Sequence, residues 1–192
     1  MTGVVHWGGN VGSLLNALKR TGVPHRLIAG PEQVRSFERL ILPGVGNFAA
    51  VMKRLRERGL DRALLEAMES GVAYLGICIG MQILLEGSEE APSVKGLSVV
   101  RGACRRYRSG RVPQTGFNRV RSRTGLIEDD EFYYFVNSYY CEPEEDVCVA
   151  TADYGVRFCA AIEKGRILGV QFHPERSAEA GLRFLKDWCD AR

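Results

Sequence analysis

The first half of the chain alternates short apolar runs with amphipathic stretches. Runs typical of buried strands occupy residues 3–6, 25–29, 40–42 and 72–75. Between them, apolar side chains recur at helical spacing in the segments 13–20, 48–55 and 61–70. Such alternation is characteristic of βα units built around a parallel sheet. The pattern therefore predicts an α/β fold.

The second half has a different pattern. From about Val94, short apolar runs at 97–100, 132–136, 147–150, 158–162 and 167–172 are separated by glycines and prolines, which indicates hairpins. A final amphipathic helix, about Glu179 to Cys189, would cover one face of the sheet. We find no repeat, linker or low-complexity tract. We therefore predict one domain over residues 1–192, with an open, mostly parallel or mixed sheet flanked by helices.

Composition and charge narrow the classes of function. The 192 residues carry a formal net charge of +3, which is too small to indicate nucleic acid or an anionic membrane as a partner. No apolar stretch approaches the roughly 20 residues that span a bilayer. The six cysteines form no CxxC pair, which argues against a zinc site and against a secreted disulfide framework. We expect a soluble, cytoplasmic protein without a metal or cofactor.

Cys78 is the candidate nucleophile. A predicted strand runs directly into Gly76-Ile77-Cys78-Ile79-Gly80, and a helical pattern resumes at Met81. This strand-turn-helix arrangement exposes a nucleophile at the top of a sheet, and the helix N-terminus that follows favours thiolate over thiol. The alternative is a small buried hydrophobic residue, which is our interpretation of the other five cysteines.

A cysteine nucleophile needs a base, and the sequence offers only His6, His25 and His173. The first two lie at ends of predicted strands, where a core or surface role is the ordinary interpretation. His173 follows the last strand, at the end of the sheet where open α/β folds place their active sites. Pro174 would hold the segment extended, so that Glu175 points the same way and orients the imidazole.

A glycine-rich loop follows the third predicted strand. Residues 44–49 formally fit a dinucleotide-binding pattern, but the match is weak because Pro43 opens the loop and the strand is not the first of its unit. A better use is electrostatic, since backbone N–H groups near Val45 or Gly46 would stabilise the oxyanion of an acyl-transfer intermediate. The N–H of Ile79 would be the second donor. A plain structural turn is the alternative.

Two motifs resemble a known family, the class I (triad) glutamine amidotransferases. They are Gly76-Ile77-Cys78-Ile79-Gly80-Met81-Gln82 and Phe172-His173-Pro174-Glu175. The resemblance implies a flavodoxin-like fold and hydrolysis of L-glutamine to glutamate and ammonia through a thioester on Cys78. It also implies a glutamine pocket, which would be lined by Gly44, Gly46, Gln82, Ser138 and Tyr139.

Within that family, the chain is similar to the glutaminase subunits of imidazole glycerol phosphate synthases. The shared segments are 42–46, Gly9-Asn10, 135–140 and 171–177. The similarity implies a heterodimer with a (βα)₈-barrel cyclase, which would receive the ammonia for histidine biosynthesis. The chain departs from the family pattern at Val5-His6-Trp7, at 114–118, at Asn137 and at Arg176, and these departures leave the identity of the synthase open.

Other functions remain open from the sequence. A paralogue could supply ammonia for nucleotide-sugar or surface-polysaccharide synthesis, and the chain could also be a non-catalytic docking subunit or a free-standing thiol hydrolase of γ-glutamyl peptides. The densest basic region, residues 101–123, contains eight arginines. Such a run is usually a solvated face, and the sharper interpretation is a docking surface for acidic groups of a synthase.

Overall fold

The computed structural model describes residues 1–191. The first part of the chain alternates strands and helices, as the apolar pattern predicts. Its elements are β1 (Thr2–Val5), α1 (Gly12–Arg20), β2 (His25–Ile28), α2 (Pro31–Val34), β3 (Arg39–Leu42), α3 (Phe48–Glu57), α4 (Leu60–Glu69), β4 (Ala73–Ile77) and α5 (Ile79–Gln82).

The second part is mainly strands. Its elements are β5 (Leu85–Ser88), β6 (Val100–Arg106), β7 (Gln114–Ser122), β8 (Glu131–Asn137), β9 (Tyr139–Pro143), β10 (Cys148–Asp153), β11 (Arg157–Lys164), β12 (Ile167–Val170), a 3₁₀ turn (Pro174–Arg176) and α6 (Ala178–Asp190). Every helix within residues 1–191 is too short or too polar to span a lipid bilayer.

The strands form one mixed sheet, which confirms the predicted fold class. Its main order is β2-β1-β3-β4-β12-β11-β10-β7-β8, with β5, β6 and β9 attached beside β11. Strands β2, β1, β3, β4 and β12 are parallel, and the pairing from β12 through β11, β10 and β7 to β8 is antiparallel. Strand β5 pairs with β6 in parallel. All five residues of β4 are buried, as expected for a central parallel strand that is covered on both faces.

Two apolar layers cover the faces of the sheet. One contains the inward sides of α3 and α4, including Leu55 and Leu64. The other contains α1 and α6, including Leu18, Leu185 and Trp188. The helical spacing of these residues predicts their burial, and the structure confirms it. Two covered faces leave the ends of the strands as the natural place for a site.

Some predicted elements are wrong in their bounds. The helical pattern after Cys78 gives a helix of only four residues, because Ile83 and Leu84 already accept backbone hydrogen bonds from the returning segment 97–100. That segment is not itself a strand until Val100. Strand β7, at 114–122, is not predicted by the apolar pattern, because most of its side chains are polar or arginine.

Candidate active site

Three neighbouring parallel strands end at the same edge of the sheet and carry the candidate residues. The loop that begins at Pro43 follows β3, Cys78 follows β4, and His173 follows β12 after two residues. Strand β4 lies between the other two, so residues far apart in sequence converge around Cys78. This convergence follows from the order of the strands.

The turn at Cys78 has a strained backbone. Its φ and ψ of 52° and −103° lie outside the regions that ordinary residues occupy. Both flanking glycines are required sterically: a side chain at Gly76 would collide with the carbonyl of Gly80, and one at Gly80 would collide with that of Leu42. The backbone N–H of Cys78 donates to Val170 at 2.7 Å, which ties the turn to β12. Cys78 therefore has the expected elbow geometry.

His173 and Glu175 form a buried pair. Imidazole Nδ1 lies 2.9 Å from Glu175 Oε1, and His173 is almost fully buried. The extended conformation predicted for this segment is wrong, because Pro174–Arg176 form a 3₁₀ turn. The turn is stabilised by Ser177, whose hydroxyl donates to the carbonyl of His173 at 2.7 Å. Proline suits the first position of such a turn because it needs no N–H donor there.

The electrostatics of His173 favour its protonated form. Burial alone would lower the pKa of the imidazole, but the electrostatic and hydrogen-bonding interactions with Cys78, and then those with Glu175, raise it to about 10. Nε2 is buried and makes no hydrogen bond with any residue of 1–191, so this ring nitrogen is left to exchange a proton within the site. The arrangement pairs a cysteine nucleophile with an imidazole whose second nitrogen is oriented by a carboxylate.

This pairing predicts an unusual pH dependence. Since the pKa of His173 is raised from its ordinary 6.5 to about 10, the imidazolium persists through neutral pH and is lost only as pH rises through about 10. The alkaline limb of kcat/KM for glutamine should therefore lie near pH 10. Glu175→Gln removes one of the groups that raise this pKa and should move the limb to lower pH. An unmoved limb in the variant's pH–rate profile would contradict the assignment of Glu175.

The glycine loop carries unused backbone donors. The N–H groups of Gly44, Val45 and Gly46 donate to no backbone carbonyl in the part of the chain that the structure describes. The same holds for Ile79, the first residue of α5. Gly44 has a φ of +150°, a conformation that favours glycine. Free donors on both sides of a nucleophile are what an oxyanion requires.

A cleft of about 250 Å³ opens at Cys78. It is lined by Val45, Gly46, Cys78, Ile79, Gln82, Glu90, Pro113, Val136, Asn137, Ser138 and Tyr139. Every predicted oxyanion residue and four of the five predicted pocket residues are in this set. The fifth, Gly44, lines a second cavity of about 160 Å³ together with His173 and Glu175. The loop 44–46 thus separates the two cavities.

Three residues of the cleft region were not predicted from the sequence. Glu90 is the only carboxylate in the cleft lining, and its Oε2 accepts a hydrogen bond from the N–H of Phe48 at 2.7 Å. An acidic group there suits the α-ammonium of an amino-acid substrate. Asn137 donates to the carbonyl of Tyr139 at 2.9 Å and to the hydroxyl of Tyr107 at 3.2 Å. These contacts hold the wall of the cleft.

Gln171 is the third residue missed. It is fully buried, and its amide N–H group donates to the sulfur of Cys78 at 3.5 Å. Its carbonyl oxygen accepts from Gln82 at 3.0 Å, and Gln82 also donates to the carbonyl of Tyr139 at 3.1 Å. This chain of amides connects the nucleophile to the wall of the cleft. Its only sequence signal is that Gln171 stands two residues before His173.

The other candidate bases lie away from the site. His25 contacts the carbonyl of Val23 through Nδ1 at 2.8 Å, and neither His25 nor His6 lines the cleft. Burial raises the pKa of Cys141 and Cys159, which favours their neutral thiols. The contact of His25 and the burial of the two thiols support a structural role for His25, Cys141 and Cys159.

Comparison with known proteins identifies related sequences. The profile described as "Glutamine amidotransferase class-I" matches residues 10–190. A protein of Methanothermobacter thermautotrophicus named "Imidazole glycerol phosphate synthase subunit HisH" is 41% identical over 99% of this chain and 98% of its own. A protein of the same name from Moorella thermoacetica is 42% identical over 96% of this chain and 92% of its own.

Solved structures share the fold. One described as a crystal structure of glutamine amidotransferase has a TM-score of 0.80 and 22% identity, and covers 98% of this chain and 97% of its own. A second, PurLQS from Thermotoga maritima, has a TM-score of 0.75 and 20% identity, and covers 97% and 96%. At these identities, the similarity shows the fold alone.

Proposed function

The chain belongs to the class-I glutamine amidotransferase family, and from this membership we propose that it is the glutaminase subunit of an imidazole glycerol phosphate synthase. The observation that carries the proposal is the strained Cys78 turn beside a buried His173 braced by Glu175. Relatives bearing that subunit name are about 40% identical over nearly their whole length. We propose that residues 1–192 act as one domain, in the cytoplasm, where the six unpaired cysteines would stay reduced.

In the proposed reaction, the thiolate of Cys78 attacks the side-chain carbonyl carbon of L-glutamine. The resulting oxyanion accepts hydrogen bonds from the N–H of Val45 or Gly46 and from that of Ile79. His173 donates a proton to the amide nitrogen, the C–N bond breaks, and ammonia leaves with a γ-glutamyl thioester remaining on Cys78. Glu175 keeps the imidazole oriented through its contact with Nδ1.

Water completes the proposed cycle. His173, now neutral, accepts a proton from a water molecule that attacks the thioester carbonyl, and the Cys78 sulfur leaves as thiolate. Glutamate is released and His173 is again protonated. No step needs a metal or another cofactor. The buried Gln171 amide would stabilise the sulfur at both stages through its N–H donor.

The proposed partner is a (βα)₈-barrel cyclase, which would form a heterodimer and receive the ammonia. A patch of exposed aromatic and arginine side chains beside the site supports this. Arg176 stacks on Tyr134 at 4.2 Å and Phe117 packs edge-on against Tyr134 at 5.6 Å. The carbonyl of Tyr134 accepts from the N–H of His173. Phe117 is 54% exposed, so this aromatic–arginine patch offers an apolar anchor next to the catalytic pair.

The arginine-rich segment is largely neutralised within the chain. Arg105 and Arg108 pair with Glu89, Arg119 and Arg121 with Asp130, and Arg123 with Asp146. Paired, exposed arginines favour the interpretation of a solvated face for most of this run. We therefore place the proposed docking contact at the aromatic–arginine patch.

The choice of acceptor separates this proposal from its alternatives. We expect the chain to copurify with a barrel cyclase, and we expect glutamine hydrolysis to rise when a phosphoribosyl-linked aminoimidazole precursor is added. A rise with nucleotide-sugar precursors only would favour the paralogue. Full turnover without any partner would indicate a free-standing hydrolase, and no turnover under any condition would indicate a docking subunit.

A further inference from the structure

We propose that Trp7 is a positioning residue that anchors the glycine loop 43–46 and thereby sets the efficiency of oxyanion stabilisation. The inference rests on the proposed glutaminase function. It concerns a residue that follows β1 and lies outside both motifs on which the family resemblance is based.

The indole of Trp7 contacts the loop in two ways. Its Nε1–H donates to the carbonyl of Pro43 at 2.8 Å, in a buried position. Its ring also fills the space beneath the loop, because a side-chain carbon added at Gly44 or Gly46 would lie 2.9 Å and 3.0 Å from ring carbons of Trp7. Trp7 itself is 5% exposed, so the indole is fixed by the core around it.

The loop has little other support. The indole bond is the only side-chain hydrogen bond to residues 43–46 within residues 1–191. The cleft lies on one side of the loop and the second cavity on the other, and Val45 is half exposed. Firm anchoring resumes at Asn47, whose side chain accepts from the N–H of Ala50 at 3.1 Å and caps α3. Trp7 therefore holds the end of the loop that the helix cap does not hold.

Anchoring this end restricts which peptides can turn. The carbonyl of Pro43 and the N–H of Gly44 belong to one planar peptide, so the indole bond fixes the direction of both. The two peptides that follow carry the N–H groups of Val45 and Gly46 and are flanked by glycines, which allow rotation at little steric cost. With the first peptide fixed by the indole, only the two peptides that carry the candidate oxyanion donors, the N–H groups of Val45 and Gly46, can rotate.

Loss of the anchor should affect the transition state more than substrate binding. The net value of one hydrogen bond is about 1 kcal/mol, and 1.36 kcal/mol corresponds to a tenfold change in rate. For Trp7→Phe, which keeps an aromatic ring but lacks the donor, we expect kcat for glutamine in the activated complex to fall about fivefold to tenfold. We expect KM to stay within about twofold and ammonium-dependent synthesis to be unchanged.

Trp188→Phe is the matched control. Trp188 is the only other tryptophan, is equally buried, and packs against α1 and the sheet from α6. The control should keep its kcat, and it leaves Trp7 as the only tryptophan that this chain contributes to the emission, once the emission of the partner alone is subtracted. Its emission should then shift when the partner and its ligand are added, since the loop lies directly against the ring. This second readout serves if Trp7→Phe fails to fold.

The outcomes are separable. A fall in kcat for Trp7→Phe alone, together with a shift of Trp7 emission in Trp188→Phe, supports the assignment. An unchanged kcat in a folded Trp7→Phe complex, an equal fall in both variants, or Trp7 emission that is indifferent to partner and ligand overturns it. If the unsubstituted complex does not hydrolyse glutamine, the proposed function fails instead.

Discussion

Cys78→Ala is expected to lower glutamine hydrolysis by about 10⁴-fold or more, because removal of an enzyme's nucleophile typically costs at least that much. The fold should survive, since alanine keeps Cβ and loses only the sulfur from the turn. The synthase complex should still form its product when ammonium salts replace glutamine, because only the source of ammonia is lost. Glutamate release and product formation are both measured.

A half-buried thiol outside the site provides the control for this prediction. Cys189 lies on α6, and Cys189→Ala removes its partly buried sulfur, which is near the hydroxyl of Thr2. It should leave glutamine turnover unchanged. Retained turnover in Cys78→Ala would remove Cys78 from the mechanism, and a loss of ammonium-dependent synthesis in that variant would indicate a general structural defect.

The isolated chain should hydrolyse glutamine slowly, and addition of the barrel partner with its ligand should raise kcat by about 10²-fold or more. The expected size comes from the oxyanion donors, since loss of one typically costs roughly 10² to 10³ in rate. The free N–H groups of Val45 and Gly46 lie on a loop with cavities on both sides, so their direction can depend on the partner. Equal rates with and without partner would refute this gating.

Phe117→Asp tests whether activation passes through the aromatic–arginine patch. A carboxylate at this exposed position should weaken the complex, so that more partner is needed for half-maximal activation, while the activation reached at saturation is retained. Val156→Asp is a matched control at an exposed position outside that patch. Identical partner dependence of the two variants would place the docking surface elsewhere.

Much of the fold follows from the apolar pattern. Strands β1, β3 and β4 are short apolar runs because parallel strands are covered on both faces, and the structure confirms their positions. Strand β7 escaped prediction because its buried positions, Gln114 and Val120, alternate with exposed polar residues. A strand of this kind is recognised only through its pairing with β8, which is a tertiary contact.

The candidate site was predictable where local chemistry marks it. Cys78 stands between two glycines at a strand-to-helix turn, and His173 and Glu175 follow a strand end, so each has a signal of its own. The contact between His173 and Glu175 depends on a 3₁₀ turn that the sequence pattern does not predict. Gln171, Glu90 and Trp7 had no such signal, because each acts through a partner that is distant in sequence.

The most direct test of the account is mass spectrometry of the activated complex, quenched in acid during glutamine turnover. We expect one γ-glutamyl group on the peptide that contains Cys78, formed with glutamine and absent from the Cys78→Ala variant. It should disappear as glutamate is released. Turnover without any acyl group on Cys78, or with the group on another residue, would contradict the proposed mechanism.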